Sequence, residues 1–225
     1  MQLCFRNTGV STSKSYCTSD ADEDLFTLLG TSDTSGSWTF NGNPRTDGII
    51  HPASDISGNY IYTIEASGGC EAVTATVTVT INTTPEIFPV LPYELCDNNL
   101  DGDDTNGFTD FILSSRNNDI LQGQANITIT YHTLQSEAEL GTNALPNNYY
   151  SNSKTIYVRL RNTITNCVAI NTIDLIVHPL PAIQNNVISG NSRGIHVTAN
   201  DNIILNNLIG VDVTGTYAIP NKVGI

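Results

Sequence analysis

The segment Glu71-Ala-Val-Thr-Ala-Thr-Val-Thr-Val-Thr-Ile81 alternates apolar side chains with threonine. Successive side chains of an extended strand point to opposite faces, so the apolar residues from position 73 onward share one face. That face consists of Val73, Ala75, Val77, Val79 and Ile81. The pattern predicts a long strand with one buried face, and a similar segment at Ala169–Val177 predicts a second such strand.

The composition agrees with an all-β chain. Thr, Val, Ile and Tyr suit strands, whereas Asn, Gly and Asp suit turns. The 225 residues include 22 Asp and Glu against 9 Lys and Arg, which gives a net charge of -13. A chain this acidic, with scattered basic residues, is expected to bind neither nucleic acid nor an anionic membrane surface. Its apolar runs fall far short of the roughly 20 residues that cross a bilayer, so no membrane insertion is expected.

Two proline-rich stretches divide the chain, because proline cannot join a central sheet. One runs from Asn82-Thr-Thr-Pro85 through Ile87-Phe-Pro-Val-Leu-Pro92, and the other is His178-Pro-Leu-Pro181. The predicted fold class is all-β: two immunoglobulin-like β-sandwich modules followed by a short, truncated parallel β-helix. The divisions are an N-terminal extension (1–13), a first sandwich (14–84), a second sandwich (85–180) and the start of the β-helix (181–225).

Turn-forming residues separate the predicted strands of each sandwich. Those of the first lie near Leu25–Leu29, Ser37–Phe40, Asn59–Ile64 and Ala72–Ile81. Those of the second are Phe108–Leu113, Ile127–His132, Thr155–Arg161 and Val168–Val177. The segment Gln135–Leu140, closed by Gly141, predicts one short helical turn.

The β-helix prediction rests on a repeat near the C-terminal end of the chain. Asn186-Val-Ile-Ser-Gly-Asn191 is echoed by Asn207-Leu-Ile-Gly210. Repeats of about 20 to 30 residues with Asn, Gly and Ile in fixed places are typical of rungs that bury apolar residues by stacking. About two rungs fit here, so we expect the solenoid to continue beyond residue 225.

Three aromatic residues are candidates for the core of the first sandwich. Trp38 lies on a predicted strand, as the core Trp of an immunoglobulin sandwich does, and a ligand-binding Trp is the alternative. Tyr60 and Tyr62 alternate on one strand, which favours core packing or a corner hydrogen bond over ligand stacking.

The cysteines sort by module. Cys17 and Cys70 precede the first and last strands of the first sandwich, and Cys96 and Cys167 occupy similar places in the second. These positions predict Cys17–Cys70 and Cys96–Cys167 disulfides, with Cys4 left over. Disulfides imply an oxidising compartment outside the cytoplasm. The alternative is buried, reduced thiols in a cytosolic protein.

An acidic loop after Cys96 is a candidate calcium site. Asp97, Asn99 and Asp101 fit positions 1, 3 and 5 of an EF-hand-like loop, and Gly102 fits the sharp turn at position 6. Position 12 is Phe108 instead of Glu, so another carboxylate must substitute. The candidates are Asp103, Asp104 and Asp110. The alternative is a solvated acidic turn.

Catalytic motifs are not recognisable. The histidines have no sequence-local partners, and no nucleophile elbow, zinc-protease motif or phosphate-binding loop occurs. The sequence therefore predicts a non-enzyme. The alternative is a set of accessory modules of a carbohydrate-active enzyme whose catalytic β-helix continues beyond the chain.

The first sandwich resembles the PKD-like and Ig-like repeats of large secreted surface adhesins from gliding Bacteroidota. The resemblance is carried by Gly36-Ser-Trp-Thr-Phe40, Gly58-Asn-Tyr-Ile-Tyr-Thr-Ile64 and Gly69–Asn82. Leu95-Cys-Asp-Asn-Asn-Leu-Asp-Gly102, Thr155-Ile-Tyr-Val-Arg159 and Leu175–Pro181 are similar to a companion repeat of those proteins. Asn207–Gly215 and Ile219–Ile225 are similar to their right-handed β-helix repeats.

This resemblance implies an extracellular, cell-surface protein exported by type IX secretion and used in adhesion or gliding motility. The expected function is a non-catalytic spacer and adhesive stalk. Its expected partners are an extracellular glycan or surface polymer and the neighbouring repeats of a longer chain.

Overall fold

The computed structural model describes residues 5–98, 102, 103 and 105–180. In the C-terminal segment it describes 182–184, 186–189, 191, 195, 203–205, 207–211, 213–216, 218 and 220. The chain forms two compact units. The first contains the residues through Ile87 together with Gln124–Thr128 and Leu160–Ala169. The second contains the remaining residues from Phe88 onward.

The first sandwich has one large and one small sheet. The large sheet has the strand order β1-β7-β6-β3-β4, and β2 pairs with β5 in the small one. The strands are β1 (Thr12–Cys17), β2 (Glu23–Asp24), β3 (Ser37–Phe40), β4 (Asn43–Arg45), β5 (Ile49–Ile50), β6 (Gly58–Ile64) and β7 (Val73–Asn82). Strand β1 runs parallel to β7, and the other pairs are antiparallel. This arrangement is that of an immunoglobulin-like sandwich.

The alternation in β7 determines which of its faces is buried. Val77 and Val79 are buried, and Thr78 and Thr80 on the opposite face are exposed. The predicted strand at Leu25–Leu29 is wrong, because these residues form a short helix, α1. The carboxylate of Asp24 accepts a hydrogen bond from the Phe26 N–H at 2.9 Å and caps the helix, a local interaction that competes with extended structure.

The second sandwich repeats the strand connectivity of the first. Its sheets have the orders β10-β12-β13-β8 and β11-β9. The strands are β8 (Tyr93–Cys96), β9 (Phe108–Ile112), β10 (Ile127–His132), β11 (Asn148–Asn152), β12 (Lys154–Asn162) and β13 (Val168–His178). Strand β8 runs parallel to β13, as β1 does to β7. The core side of β12 carries the buried residues Ile156, Val158 and Leu160.

Among its described residues, the second sandwich contains three short helical segments. A 3₁₀ turn spans Leu113–Arg116 and is followed by α2 (Asn117–Leu121). The predicted helical turn is confirmed as α3 (Gln135–Leu140). The Glu137 carboxylate accepts from the Leu134 N–H at 3.3 Å near the start of α3. Gly141 ends the helix in the left-handed region with φ 68°, a conformation that glycine adopts without steric cost.

The described residues of the C-terminal segment form two short parallel ladders. Strand β14 (Ala182–Gln184) pairs with β16 (Ile203–Leu205), and β15 (Val187–Ile188) pairs with β17 (Leu208–Ile209). Asn186 and Asn207 are also hydrogen-bonded, N–H to side-chain oxygen at 2.9 Å, across a separation of 21 residues. Successive rungs of a β-helix require a constant sequence separation between paired residues. The β-helix as a whole stays a prediction.

Candidate functional site

A disulfide between Cys17 and Cys167 joins two distant parts of the sequence. The S–S distance is 2.04 Å, the Cα atoms are 5.5 Å apart and the sequence separation is 150 residues. Cys17 is the last residue of β1, whereas Cys167 is buried immediately before β13. Both cysteines belong to the first compact unit.

Local hydrogen bonds hold the loop that presents Cys167. The Asn162 side-chain oxygen accepts from the backbone N–H groups of Ile164 and Thr165 at 2.9 and 3.1 Å. The Asn162 N–H donates to the Cys167 carbonyl at 2.9 Å, and the Asn166 N–H donates to the Asn162 carbonyl at the same distance. Asn166 adopts φ 64°, which asparagine tolerates better than most residues. The loop therefore fixes the position of the buried sulfur.

The Cys17 side of the bond is held by the edge of the first sheet. The Cys17 N–H donates to the carboxylate of Asp20 at 2.8 Å, and the Thr18 N–H donates to the Asn82 carbonyl at 2.9 Å. The neighbouring Tyr16 is buried, and its hydroxyl donates to Glu23 at 2.9 Å. Burial, followed by the hydrogen bond to Glu23, raises the pKa of the Tyr16 hydroxyl, so it stays protonated.

The predicted Cys17–Cys70 and Cys96–Cys167 pairs are wrong, and strand direction explains why. Cys17 is in register with Asn82 at the end of β7, whereas Cys70 precedes the start of β7. At about 3.3 Å per residue the Cα atoms of Cys17 and Cys70 lie roughly 30 Å apart. A disulfide allows only about 7 Å. The same argument separates Cys96 from Cys167, because Cys96 is in register with the last residue of β13.

The remaining cysteines differ in state. Cys70 is also held in a disulfide, and Cys4 lies outside the described residues. Cys96 is an exposed free thiol. The sequence pattern groups four of the cysteines by module but does not assign them to an end of a sandwich. The parallel pairing of the first and last strands of each sandwich is the signal that shows at which end of the sandwich each cysteine lies.

The described part of the acidic loop is satisfied by hydrogen bonds within the protein. The buried Asp97 carboxylate accepts from the Asn98 N–H at 2.8 Å and the Gly107 N–H at 2.6 Å. Asp103 accepts from the N–H and hydroxyl of Thr105 at 3.0 and 2.8 Å. Asp110 lies on β9 opposite Tyr150. Asn99, Asp101 and Asp104 lie outside the described residues, so the calcium site stays a prediction.

The aromatic candidates lie in the core of the first sandwich. Trp38 is 4% exposed, and Tyr60 and Tyr62 are 0% exposed. The Tyr62 hydroxyl donates to the Asp33 carbonyl at 2.6 Å, and the Tyr60 hydroxyl donates to the Ile56 carbonyl at 2.9 Å. The second bond, four residues upstream, has the form of the tyrosine corner of immunoglobulin-like domains. In this conformation the ring of Trp38 is not accessible to a ligand.

The described histidines serve three different local arrangements. His132 is buried between the Thr130 hydroxyl and the Thr142 carbonyl, at 2.8 Å from each. His51 is 2.7 Å from the carboxylate of Asp22, and this hydrogen bond raises the pKa of His51. His178 is 2.7 Å from Glu94. His196 lies outside the described residues, and no group of three or more His, Cys, Asp or Glu among the described ones could hold a metal ion.

One family model matches the chain at residues 92–181, and its description is the Flavobacterium inter-domain disulphide bond domain. The matched segment covers β8–β13 and contains Cys167, whereas Cys17 lies outside it. The Cys17–Cys167 disulfide thus joins a residue outside the matched segment to one inside it. A search of curated proteins finds no match.

Several solved multidomain structures align with the chain at low identity. Extracellular domains 3–5 of Drosophila OTK align at 14% identity and a TM-score of 0.35, over 75% of this chain and 60% of that one. Sidekick-1 immunoglobulin domains 1–5 align at 14% and 0.31, over 82% and 42%. The titin I-band fragment I67–I69 aligns at 9% and 0.34, over 82% and 70%. The chain thus spans less than two thirds of the first two, and these TM-scores do not establish a common arrangement.

The family match and the two immunoglobulin-like strand orders fit an Ig-like cell-surface protein of the Bacteroidota. Among the described residues, every helix is too short or too polar to cross a bilayer.

Proposed function

We propose that this chain is a non-catalytic structural segment of a secreted cell-surface protein, in which it acts as a spacer that bears tension. The observation that carries the proposal is the Cys17–Cys167 disulfide, whose sequence separation is 150 residues. Disulfides persist in oxidising compartments, which supports an extracellular location. The family match at residues 92–181, with its inter-domain disulphide description, gives further support.

The disulfide changes the path that tension takes through the chain. Force applied between the two ends of the protein enters at the N-terminal side and reaches Cys17 at the end of β1. It then crosses the sulfur–sulfur bond to Cys167 and leaves along β13. The residues between the two cysteines, which include β2–β12, lie outside this covalent path. Unfolding either sandwich therefore cannot release the length of chain that the bond encloses.

Single-molecule force spectroscopy on the full chain tests the proposal. With handles at both ends, the oxidised protein should not extend by the enclosed length of chain. The double variant C17S/C167S should extend further, because the 150 enclosed residues then enter the path under tension. The gain should stay below the roughly 500 Å that about 3.6 Å per residue would give, because Cys70 stays in its own disulfide. The matched control is C96S, which removes a free thiol and should extend like the wild type. Equal extension of the wild type and the double variant would contradict the proposal that the disulfide bears tension.

We also propose that the second sandwich carries a surface for a glycan or other surface polymer. Phe108 on β9 and Tyr150 on β11 stack with ring centroids 5.3 Å apart and an interplanar angle of 21°. Tyr150 is 44% exposed. Stacked, partly exposed aromatic rings supply large, rigid, amphipathic contact area at low entropic cost.

Binding to a panel of immobilised polysaccharides tests this surface. The expected result is retention of the wild type on at least one polysaccharide and at least tenfold weaker retention of Tyr150→Ala. Leu134→Ala is the matched control, because Leu134 is an exposed apolar residue, 56% accessible, just before α3. Equal retention of both variants on every polysaccharide would exclude Tyr150 as a binding residue.

A further inference from the structure

One face of the two-stranded sheet formed by β9 and β11 carries aromatic, acidic and amide side chains in register. Strand alternation buries Thr109 and Phe111 on the inner side and places the residues between them on the opposite side. The pairs on this opposite side, here called the β9–β11 face, are Phe108–Asn152, Asp110–Tyr150 and Ile112–Asn148. Four residue steps of about 3.3 Å make the face about 13 Å long. It can therefore contact more than one unit of a sugar chain.

Asp110 lies at the centre of the β9–β11 face. Directly opposite residues of an antiparallel pair have Cβ atoms about 4.5 to 5.5 Å apart, so Asp110 is a close neighbour of Tyr150. Phe108 is two residues from Asp110 on the same strand face, and its ring stacks on the ring of Tyr150. Asp110 is half-buried and Tyr150 is exposed. A carboxylate and a pair of aromatic rings thus share one surface.

Within the described part of the chain, no basic side chain forms an ion pair with Asp110. The ion pairs that occur there involve other carboxylates. Lys154, the first residue of β12, lies over the ring of Tyr149 at 5.9 Å, and Tyr149 is paired with the buried Phe111 on the inner side. The carboxylate of Asp110 is therefore available to a cation of a ligand.

A carboxylate beside aromatic rings suits a ligand that combines an ammonium group with an apolar carbon face. The faces of aromatic rings attract cations, and a hydrogen bond between two charged groups is stronger than one between neutral groups. A partly buried charge is also screened less by salt. An acidic polysaccharide would be repelled by Asp110 and by the net charge of -13. A sugar with a free amine has the complementary charge.

We propose that the β9–β11 face binds a polysaccharide of amino sugars whose amines are unsubstituted. The carbon face of one sugar lies on the ring of Tyr150, and its ammonium group donates to Asp110. The exposed Asn148 and Asn152 lie at the two ends of β11, where their amides can bind hydroxyl groups of the neighbouring sugars. This inference rests on the proposed glycan surface and deepens it by naming the substrate class.

Calorimetry on the full chain with two soluble hexamers tests the substrate class. One is a hexamer of glucosamine, and the other is the same hexamer with every amine acetylated, which removes the charge and keeps the sugar rings. In a mildly acidic buffer that keeps the amines protonated, the wild type should bind the free-amine hexamer at least tenfold more tightly. Asp110→Asn should abolish this preference, because the charge-assisted hydrogen bond is lost.

Asp174→Asn is the matched control, because it removes the same charge from an exposed position on β13, and it should keep the preference. Equal circular dichroism spectra of the two variants verify their folding. Equal affinity of the wild type for both hexamers, no binding of either, or an unchanged preference in Asp110→Asn would overturn the proposal. If Tyr150→Ala nevertheless loses retention on a neutral polysaccharide, the proposed glycan surface stands and only the substrate class is wrong.

Discussion

The two sandwiches share one strand connectivity but fill their cores differently. In the first, the rings of Phe26, Trp38 and Tyr62 lie with their centroids 4.9 to 5.4 Å apart. In the second, β12 buries aliphatic side chains only, among them Ile156 and Val158. In immunoglobulin domains the corner tyrosine lies two residues before a disulfide cysteine. Here the corner tyrosine is Tyr60, and Tyr62 occupies the position of that cysteine.

This difference shows that connectivity, and not core composition, places the cysteines. A core with a cluster of three aromatic rings and a core whose strand β12 buries aliphatic side chains support the same parallel pairing of first and last strands. That pairing puts Cys17 and Cys96 at one end of each sandwich and Cys70 and Cys167 at the other. Strand direction therefore excludes a bond between the two cysteines of either sandwich, and Cys17 is bonded to Cys167 instead.

Breaking the Cys17–Cys167 disulfide should have the largest effect on the free energy of unfolding. In the loop-entropy model a disulfide that encloses 150 residues stabilises the protein by about 5 kcal/mol. C17S should therefore lower the free energy of unfolding by about that amount in urea titrations under oxidising conditions. C96S is the control and should unfold like the wild type, since its thiol is free. Equal stabilities of C17S and C96S would show that the bond contributes nothing.

The aromatic core of the first sandwich should be the next most sensitive region. Trp38→Ala removes a side chain that is 4% exposed and packs against Phe26 and Tyr62, which should cost about 3 to 5 kcal/mol. Ile156→Val in the second sandwich removes one buried methylene and should cost about 1 kcal/mol. Unfolding should be followed by circular dichroism instead of tryptophan fluorescence, because Trp38 is the single Trp and the variant lacks it. A smaller loss for Trp38→Ala than for Ile156→Val would contradict the aromatic core.

Removing one hydroxyl from each sandwich gives a finer comparison. The buried Tyr131 hydroxyl donates to the Leu113 carbonyl at 2.9 Å and lies 2.7 Å from the Asn117 side-chain oxygen. Tyr131→Phe leaves acceptors unpaired and should cost about 1 to 3 kcal/mol. Tyr60→Phe should cost about 0.5 to 1.5 kcal/mol, because its acceptor belongs to Ile56, which is 61% exposed and within reach of water. The reverse order in urea titrations would refute this account.

A smaller effect is expected on the pKa of His51, which is paired with Asp22 on the surface of the first sandwich. The hydrogen bond from the His51 ring to the Asp22 carboxylate is the largest cause that raises the pKa of His51. A raised pKa stabilises the fold below the unfolded pKa of about 6.5, and this contribution is lost as the pH rises through the folded pKa. NMR titration of the His51 ring should therefore give a midpoint above the ordinary value, and Asp22→Asn should lower it. An unchanged midpoint in Asp22→Asn would exclude the pair as the cause.

The weakest test addresses the acidic loop after Cys96. If Asp97, Asn99 and Asp101 bind calcium, millimolar calcium chloride should raise the Tm, because a ligand that binds only the folded state stabilises it. Asp101→Asn should reduce that rise, and magnesium chloride at the same concentration is the control. No heat in calorimetry and no change in Tm would identify the loop as a solvated acidic turn.

Alternation predicted the strands well, because period 2 reports directly which face is buried. The predicted segments Ser37–Phe40, Asn59–Ile64 and Ile127–His132 correspond to β3, β6 and β10 within one residue at each end. Leu25–Leu29 was misassigned because its apolar run fits a short helix as well as a strand. The hydrogen bond that the Asp24 carboxylate accepts at the start of α1 favours the helix.

The disulfide partners could not be predicted from spacing alone. Sequence distance says how large a loop is, whereas a bond requires two cysteines at the same end of a sheet. Cys17 and Cys70 flank one module in the sequence and lie at opposite ends of β7 in space. Only the parallel register between β1 and β7 contains that information.

The 150-residue separation of Cys17 and Cys167 also sets an order of events during synthesis. At about 5 to 20 residues per second, Cys17 is made roughly 8 to 30 s before its partner. All strands of the first sandwich are complete at Asn82, so that sandwich can fold while Cys17 is still a thiol. A chain that stops before Cys167 cannot make the bond. The Cys17–Cys167 disulfide is therefore a chemical record that synthesis has passed β12 and has reached the residue just before β13.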